Sequence, residues 1–456
     1  MSKPAYTPPT IIAIRHQLGA KASTPLTAPA LKVRTHIDGV ALADLTDQFG
    51  SPLFVYSERK LAELHDRAAA AFGKAWPKVT FAWSYKTCYL KAVCAFFHAR
   101  GSKAEVVSEM EYDKARRLGV AGPDILFNGP WKPLPALRRA LADGARIHID
   151  NFEEIGDIET AARELGVRPK VAIRLNMDAG IYPVWSKFGF NLENGQALAA
   201  VRRLHAGGAI TLDGLHTHIG TFVLDPSAYG RAVAKLAAFA TLCESVTGTR
   251  IGTLDLGGGF PSCSSLKGVY QPPEVAVPPI EAYAEAIGAA LHAAYPNPAD
   301  GPAVMLETGR HLVDEAGYLV TTVTSSKVAM DTRRSYLVDA GVHLLYTSTW
   351  YNFTIEADRP SAGLPEPSCL NGSLCMNIDV VGDGLLLPRL ERGTRLVFSP
   401  VGAYNLTQSM PFIHCRPAAV LIRADGRVDL MRRAETIDDI EGGESLPADL
   451  RLGRTA

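Results

Sequence analysis

The sequence predicts an α/β fold: a (β/α)8 TIM-like barrel followed by a C-terminal β-rich domain. Three observations carry this prediction. Short apolar, β-branched runs alternate with longer Ala/Leu/Arg segments of helical period. Eight such units fit into about 230 residues, which is what a (β/α)8 barrel needs. Nearly every run ends in a polar residue or a glycine. A doubly wound open sheet uses the same alternation, but it would spread those polar ends along an edge. A closed barrel gathers them at one mouth, where barrels place their chemistry.

Taken in order, residues 1–30 are rich in Pro, Ala and Thr without periodicity and are expected to form an N-terminal extension. Residues 31–52, including IDGVALADLTDQFG (37–50), are expected to pack with the β-domain. The barrel is expected over 53–320. Its strands are VTFAWSYK (79–86), AEVVS (104–108), ILFNG (125–129), RIHID (146–150), KVAIRLN (170–176), LDGLHTHIG (212–220), TLDLGGGF (253–260) and AVMLET (303–308). They end on Lys86, Ser108, Asn128, Asp150, Arg174, His218, the glycines 257–259 and Glu307. Segments such as 135–145 and 226–246 read as helices between them. The β-domain is expected over 321–456, where TTVTSSKVAM, SYLVDAG, SLCMNIDVVG and TRLVFSPVGAY are strand-like without intervening helices. AAVLIRADGRVDLMRR (418–433) carries Asp-Gly between alternating runs, a hairpin signal.

Composition narrows the function. Lys+Arg and Asp+Glu both total 47 in 456 residues, which excludes a generally basic, nucleic-acid-coating protein. A hydrophobic content of 47% excludes intrinsic disorder, and no apolar stretch approaches membrane-spanning length. The seven cysteines are scattered and show no CxxC pairing, so neither a disulfide framework nor a metal site is expected. Prolines and polar residues stand where a signal peptide needs an apolar core. The expectation is a cytoplasmic protein acting on a small molecule.

Two features of the strand ends point to chemistry. LDLGGGFP (254–261) follows strand seven, where barrels commonly build a phosphate site, and exposed backbone N–H groups there can approach an anion without a Cβ in the way. A bare glycine turn is the bland alternative, but ETGR (307–310) after strand eight adds Arg310 as a cation for the same anion. Lys86 ends an aromatic, apolar strand. It is either a lysine snorkelling to solvent or a Schiff-base lysine, deprotonated easily when desolvated. A phosphate cradle plus a lysine at a barrel mouth points to pyridoxal phosphate. His216 and His218 alternate along GLHTHIG, with one expected to face the barrel interior and the other the helices.

These residues bring a family into view. The chain resembles the fold-type III pyridoxal-phosphate amino-acid decarboxylases, the group of diaminopimelate, ornithine and arginine decarboxylases. The matching stretches run in order: SPLFVY, FAWSYKTCY, AEVVSEMEYDKARRLG, ILFNGPWK, IRLN, SKFGF, GLHTHIGT, LDLGGGFP, ETGR, VDAG, CMNID and VGAYN. The resemblance implies a barrel with a C-terminal β-domain and a head-to-tail homodimer with shared active sites. Carried over position by position, it implies that Lys86 is the Schiff-base lysine and that Glu307 faces the pyridine nitrogen. Gly257, Gly258, Gly259, Arg310 and Tyr404 match phosphate contacts, and His218 matches the ring-stacking histidine. Glu105 and Arg174 lie at family positions around the cofactor, and Thr221 and Gly309, within the matched stretches, are expected to contact it too. Cys375 matches a cysteine donated across the dimer interface, where it protonates the carbon that has lost CO2.

A carboxylate beside the ring nitrogen keeps that nitrogen protonated, so the ring absorbs electrons released at Cα. Alanine racemases, by the same comparison, place an arginine there, so Glu307 favours decarboxylation over racemisation. A non-catalytic antizyme-like regulator would lack Lys86 or the phosphate glycines. The substrate end departs from the family. Ornithine and diaminopimelate decarboxylases have Asp or Glu directly after the cysteine, to pair with a distal ammonium; here that residue is Met376, and a thioether cannot do so. Diaminopimelate decarboxylases also have an arginine some eight residues beyond VDAG, and VDAGVHLLYTSTWYN (338–352) has none. The expected substrate is an amino acid whose far end is neutral, bulky or conjugated, such as a siderophore or other secondary-metabolite intermediate, with Met376 and Tyr404 at the substrate end. Asp379 and His343 as replacement anchors would keep diaminopimelate, ornithine and lysine as the alternative.

Overall fold

The computed structural model describes residues 31–450, so the extension expected over 1–30 lies outside the described residues. Eight parallel strands close on themselves: Val79–Ser84, Lys103–Val106, Ile125–Phe127, Arg146–Ile149, Lys170–Asn176, Thr211–Thr217, Thr253–Asp255 and Ala303–Leu306. Each pairs with the next, and Val304 of the eighth lies opposite Val79 of the first. That last pairing excludes the open sheet. These are the eight runs the sequence marks out, in the same order.

Helices cover the outside because their starts are chemically specified. Ser57, Ser108, Asn151 and Asp225 each accept a hydrogen bond from a backbone N–H in the first turn of the helix that follows. The segments read as helical form Leu134–Ala142 and Pro226–Thr247. Among the described residues, no helix is long and apolar enough to cross a membrane.

The second sheet is built around Gly317–Val328, which pairs antiparallel with Arg334–Val338, Arg395–Ser399 and Leu53–Ser57. Leu53–Ser57 in turn runs parallel to Ala419–Ile422. The reading that began the barrel at residue 53 therefore shifts, because this strand belongs to the second sheet. A five-residue run buried at every position gives no hint of which sheet takes it. Ile37, Leu42 and Leu45 pack with Leu53, Val55, Val320, Val397 and Val420 in a core of their own. Ala419–Ile422 and Val428–Arg432 form a hairpin, with Gly426 at φ +86° supplying the left-handed turn.

One strand expectation is corrected. Within SLCMNIDVVG, residues 373–379 form a loop, and strand begins only at Val380. The Asp379 carboxylate captures the backbone N–H groups of Val342 at 2.7 Å and Leu374 at 2.8 Å, which curls the segment.

Candidate active site

The strand ends converge on a cavity of about 320 Å3 at the barrel mouth. Lys86 sits in the single turn Tyr85–Thr87 that follows strand one. Its Nζ donates to Glu105 Oε2 at 2.6 Å. The barrel register makes this contact, because Ser84 and Glu105 are cross-strand partners, and Ser84 Oγ donates to the same carboxylate oxygen. Burial opposes the charge on Lys86, but Glu105 and Glu307 outweigh it and hold the ammonium above its ordinary range. The expectation that desolvation deprotonates Lys86 is corrected: two buried carboxylates face it.

Glu307 ends strand eight and is buried. Its carboxylate accepts from Asn128 Nδ2, and its Oε1 lies 3.2 Å from His216 Nε2. Burial pushes this carboxyl up, opposed by the charges of Lys86 and Arg174. His216 and His218 both face inward, which corrects the reading that put them on opposite faces. Side chains alternate with period two, so positions i and i+2 share a face. His218 lines the cavity with Trp185, their rings parallel within 11° at 5.1 Å.

The anion end forms where the two domains meet. Gly258 and Gly259, Gly309, Arg310 and Tyr404 line the cavity together. A Cβ on Gly258 would fall 2.5 Å from the Glu307 carbonyl oxygen, so only glycine fits the turn. Gly257 stays behind the wall: its N–H donates to Asp255 Oδ1 at 2.9 Å and its carbonyl accepts from Glu307 N at 2.9 Å. Arg310 is nearly buried, and its one ion pair among the described residues is a long 3.5 Å contact to Asp314. It therefore keeps donors for an anion. Tyr404 comes from the β-domain, held at φ +66° by its N–H bond to the Thr87 carbonyl. That conformation costs about 1 kcal/mol in a non-glycine residue. Backbone N–H groups, a guanidinium and a phenol on one side, an amine and a buried carboxylate on the other, fit the two ends of pyridoxal phosphate.

Of the predicted residues, Lys86, Glu105, Arg174, His218, Thr221, Gly258, Gly259, Glu307, Gly309, Arg310 and Tyr404 line this one cavity. Cys375, Met376, Asp379 and His343 are outside its lining. Cys375 is exposed, as are its neighbours Met376 and Ile378. Each Asp379 oxygen accepts a backbone N–H, from Val342 and from Leu374, and the side chain is buried. His343 is buried near Asp379 and His414. Sequence reasoning missed Trp185 and Phe188, which wall the cavity from the segment around SKFGF, and gave Asn128 no partner.

Comparison with known proteins accords with this geometry. The family model described as pyridoxal-dependent decarboxylase, pyridoxal binding domain, matches residues 59–314. A diaminopimelate decarboxylase of Methanothermobacter thermautotrophicus is 29% identical over 425 residues, covering 91% of this chain and 96% of the relative. The Bacillus subtilis diaminopimelate decarboxylase is 28% identical over 417 residues, covering 89% and 93%. The crystal structure of diaminopimelate decarboxylase from M. jannaschii with L-lysine has a TM-score of 0.83 at 26% identity, covering 92% of this chain and 99% of that one.

Proposed function

The chain belongs to the fold-type III pyridoxal-dependent decarboxylases, and from that premise we infer which residues carry the chemistry and which substrates they admit. The protein is a carboxy-lyase that uses pyridoxal phosphate to decarboxylate an amino acid. When bound, the cofactor supplies an electron sink for the pair left behind as CO2 departs.

The protein's own residues prepare that chemistry. Lys86 is the amine assigned to the cofactor's aldehyde, and Glu105 Oε2 is placed to take the proton from Lys86 Nζ. Gly258, Gly259, Gly309, Arg310 and Tyr404 are assigned to the phosphate and His218 to the ring face. Arg174 faces both Glu307 and Asp150 and balances the buried carboxylates. Glu307 holds its charge toward the ring nitrogen, and this buried carboxylate opposite Lys86 is the observation that carries the decarboxylase assignment of the site. Cys375 is assigned the proton delivered to the decarboxylated carbon in a partner subunit's site, an assignment supported by its exposure at the surface.

The substrate is an amino acid with a neutral, bulky or conjugated far end. By the family resemblance Met376 stands where a carboxylate would pair with a distal ammonium, and Asp379 is buried with a backbone N–H on each oxygen. Val107, Pro130, Trp185 and Phe188 give the cavity an apolar stretch of wall. The alternative, diaminopimelate, ornithine or lysine, is favoured by the names of the relatives. Measuring CO2 release from these three and from amino acids acylated at the far end separates the two. Leaving a distal charge unpaired costs about 1–3 kcal/mol, so kcat/KM for the neutral-ended compounds is expected to be higher by roughly tenfold or more. Diaminopimelate turnover at or above theirs overturns the substrate assignment.

A further inference from the structure

Beneath the cavity floor the barrel interior is unusually polar. His216, Glu307, His148 and Asp255 are all buried, in a space that barrels ordinarily fill with branched apolar side chains. They form a chain. Glu307 Oε1 is 3.2 Å from His216 Nε2. The His216 ring lies 4.7 Å from that of His148, tilted by 36°. His148 Nε2 is 3.9 Å from Asp255 Oδ2. Both nitrogens of both histidines, and Asp255 Oδ2, lack an aligned hydrogen-bond partner among the described residues. Four buried polar groups without a task would be a heavy cost.

The contacts at Glu307 are asymmetric. Asn128 and His216 both address Oε1, while Oε2 has no protein donor among the described residues and belongs to a side chain lining the cavity. Asn128 donates to that oxygen and His216 Nε2 stands 3.2 Å from it, in reach of a second bond once the ring turns, so the other oxygen is left for whatever occupies the cavity. We propose that His216 is a positioning residue for Glu307: by donating from Nε2 to Oε1 beside Asn128, it directs Oε2 toward the cofactor's ring nitrogen, with His148, backed by Asp255, packed against its ring. The proposal rests on the assignment of Glu307 to that nitrogen.

The electrostatics agree with a donor that stays neutral. Burial, followed by the charges of Arg174 and Lys86, holds His216 well below its ordinary value, and burial followed by His216 does the same for His148. A neutral imidazole donates without cancelling the Glu307 charge, whereas an imidazolium would compete with the ring nitrogen for it. The same field disfavours a metal. His148, His216 and Glu307 offer ligand atoms within 4.8 Å of one another, yet Arg174, Lys86 and Lys132 already surround the histidines with positive charge.

The test compares His216→Phe, His216→Gln and Glu307→Gln, each loaded with pyridoxal phosphate, with the two doubles that combine a His216 change with Glu307→Gln. Three readouts are followed: the kcat and KM split, the visible absorbance of the bound cofactor, and the affinity of the stripped protein for pyridoxal phosphate. Removing a hydrogen bond to a charged group is expected to lower kcat about tenfold or more in His216→Phe with KM within about twofold. The visible band shifts, cofactor affinity falls, and His216→Gln, which restores an amide donor at similar reach, recovers most of each. In the Glu307→Gln background, His216→Phe changes kcat by less than about twofold, because its partner is already altered. Wild-type kcat and absorbance in His216→Phe beside an impaired Glu307→Gln overturn this proposal alone. An unimpaired Glu307→Gln overturns the assignment of Glu307, and the proposal with it. Full additivity of the two changes, or stoichiometric zinc in the purified protein, also overturns it. Should His216→Phe not fold, the same cycle with His216→Leu, which also removes the donor, decides.

Discussion

At Lys86 two demands compete, a dry pocket that disfavours the ammonium and two carboxylates that hold it. The result is a lysine whose proton has a receiver 2.6 Å away on Glu105. Lys86→Ala is expected to give folded protein without the absorbance of the lysine–cofactor imine after incubation with pyridoxal phosphate. A borohydride-fixable cofactor in that variant would falsify the assignment. Lys86 was legible in the sequence because an ionisable group ending an apolar strand is costly without a purpose, whereas the role of Glu307 rested on the family resemblance. Asp379 was not legible as a structural residue. A sequence shows a carboxylate but not the N–H groups of Val342 and Leu374 that bond to it. His216 was misplaced for a different reason, since the period-two geometry that settles its direction was available and misread.

At the scale of the element, local capping chemistry decides where cavity-lining residues stand. The helix Glu109–Arg117 starts at Ser108, whose hydroxyl accepts from Glu111 N at 3.2 Å, while Glu111 Oε2 accepts from Val107 N at 2.8 Å. Val107 lines the cavity, so this reciprocal cap sets part of its wall. Burial, reinforced by the charge on Glu105, pushes the Glu111 carboxyl up to about 7. Its folded-state pKa is raised, so the stability it contributes is fully present below about pH 4.5 and is lost as pH rises to about 7. That loss amounts to about 3 kcal/mol. Glu111→Gln keeps an acceptor for Val107 N and removes the titration. Its melting temperature should exceed the parent's at pH 8 and match it near pH 4.5; equal melting temperatures at pH 8 would refute this. The strands themselves were legible because all eight barrel runs are short, apolar and closed by polar residues. The loop 373–379 was not, because the Asp379 side chain that curls it onto Leu374 is held by Val342, far away in sequence.

The whole molecule joins two sheets through the barrel mouth, where Tyr404 and Thr407 of the second domain bond to the Thr87 and Lys86 carbonyls. Cys375 lies on the surface, outside the cavity lining. If a site takes Lys86 from one protomer and Cys375 from its partner, mixing inactive Lys86→Ala and Cys375→Ala subunits regenerates one intact site per mixed dimer. Random exchange should restore about a quarter of wild-type activity, since half the dimers are mixed and each has one good site of two. No recovery after verified exchange would show that each site is made by one chain. The pairing of Leu53–Ser57 was beyond sequence reading, because one of its partners, Ala419–Ile422, lies near the other end of the chain. That pairing also sets an order of assembly. During synthesis this wholly buried strand is made before the barrel and waits, its edge unmatched, while the barrel is made. The barrel is built from contacts between successive units and can condense as it emerges, whereas the second sheet can close only when the last strands are released. The newborn chain is therefore most exposed to self-association in that interval, and a strand made before the barrel is locked in place by one made after it.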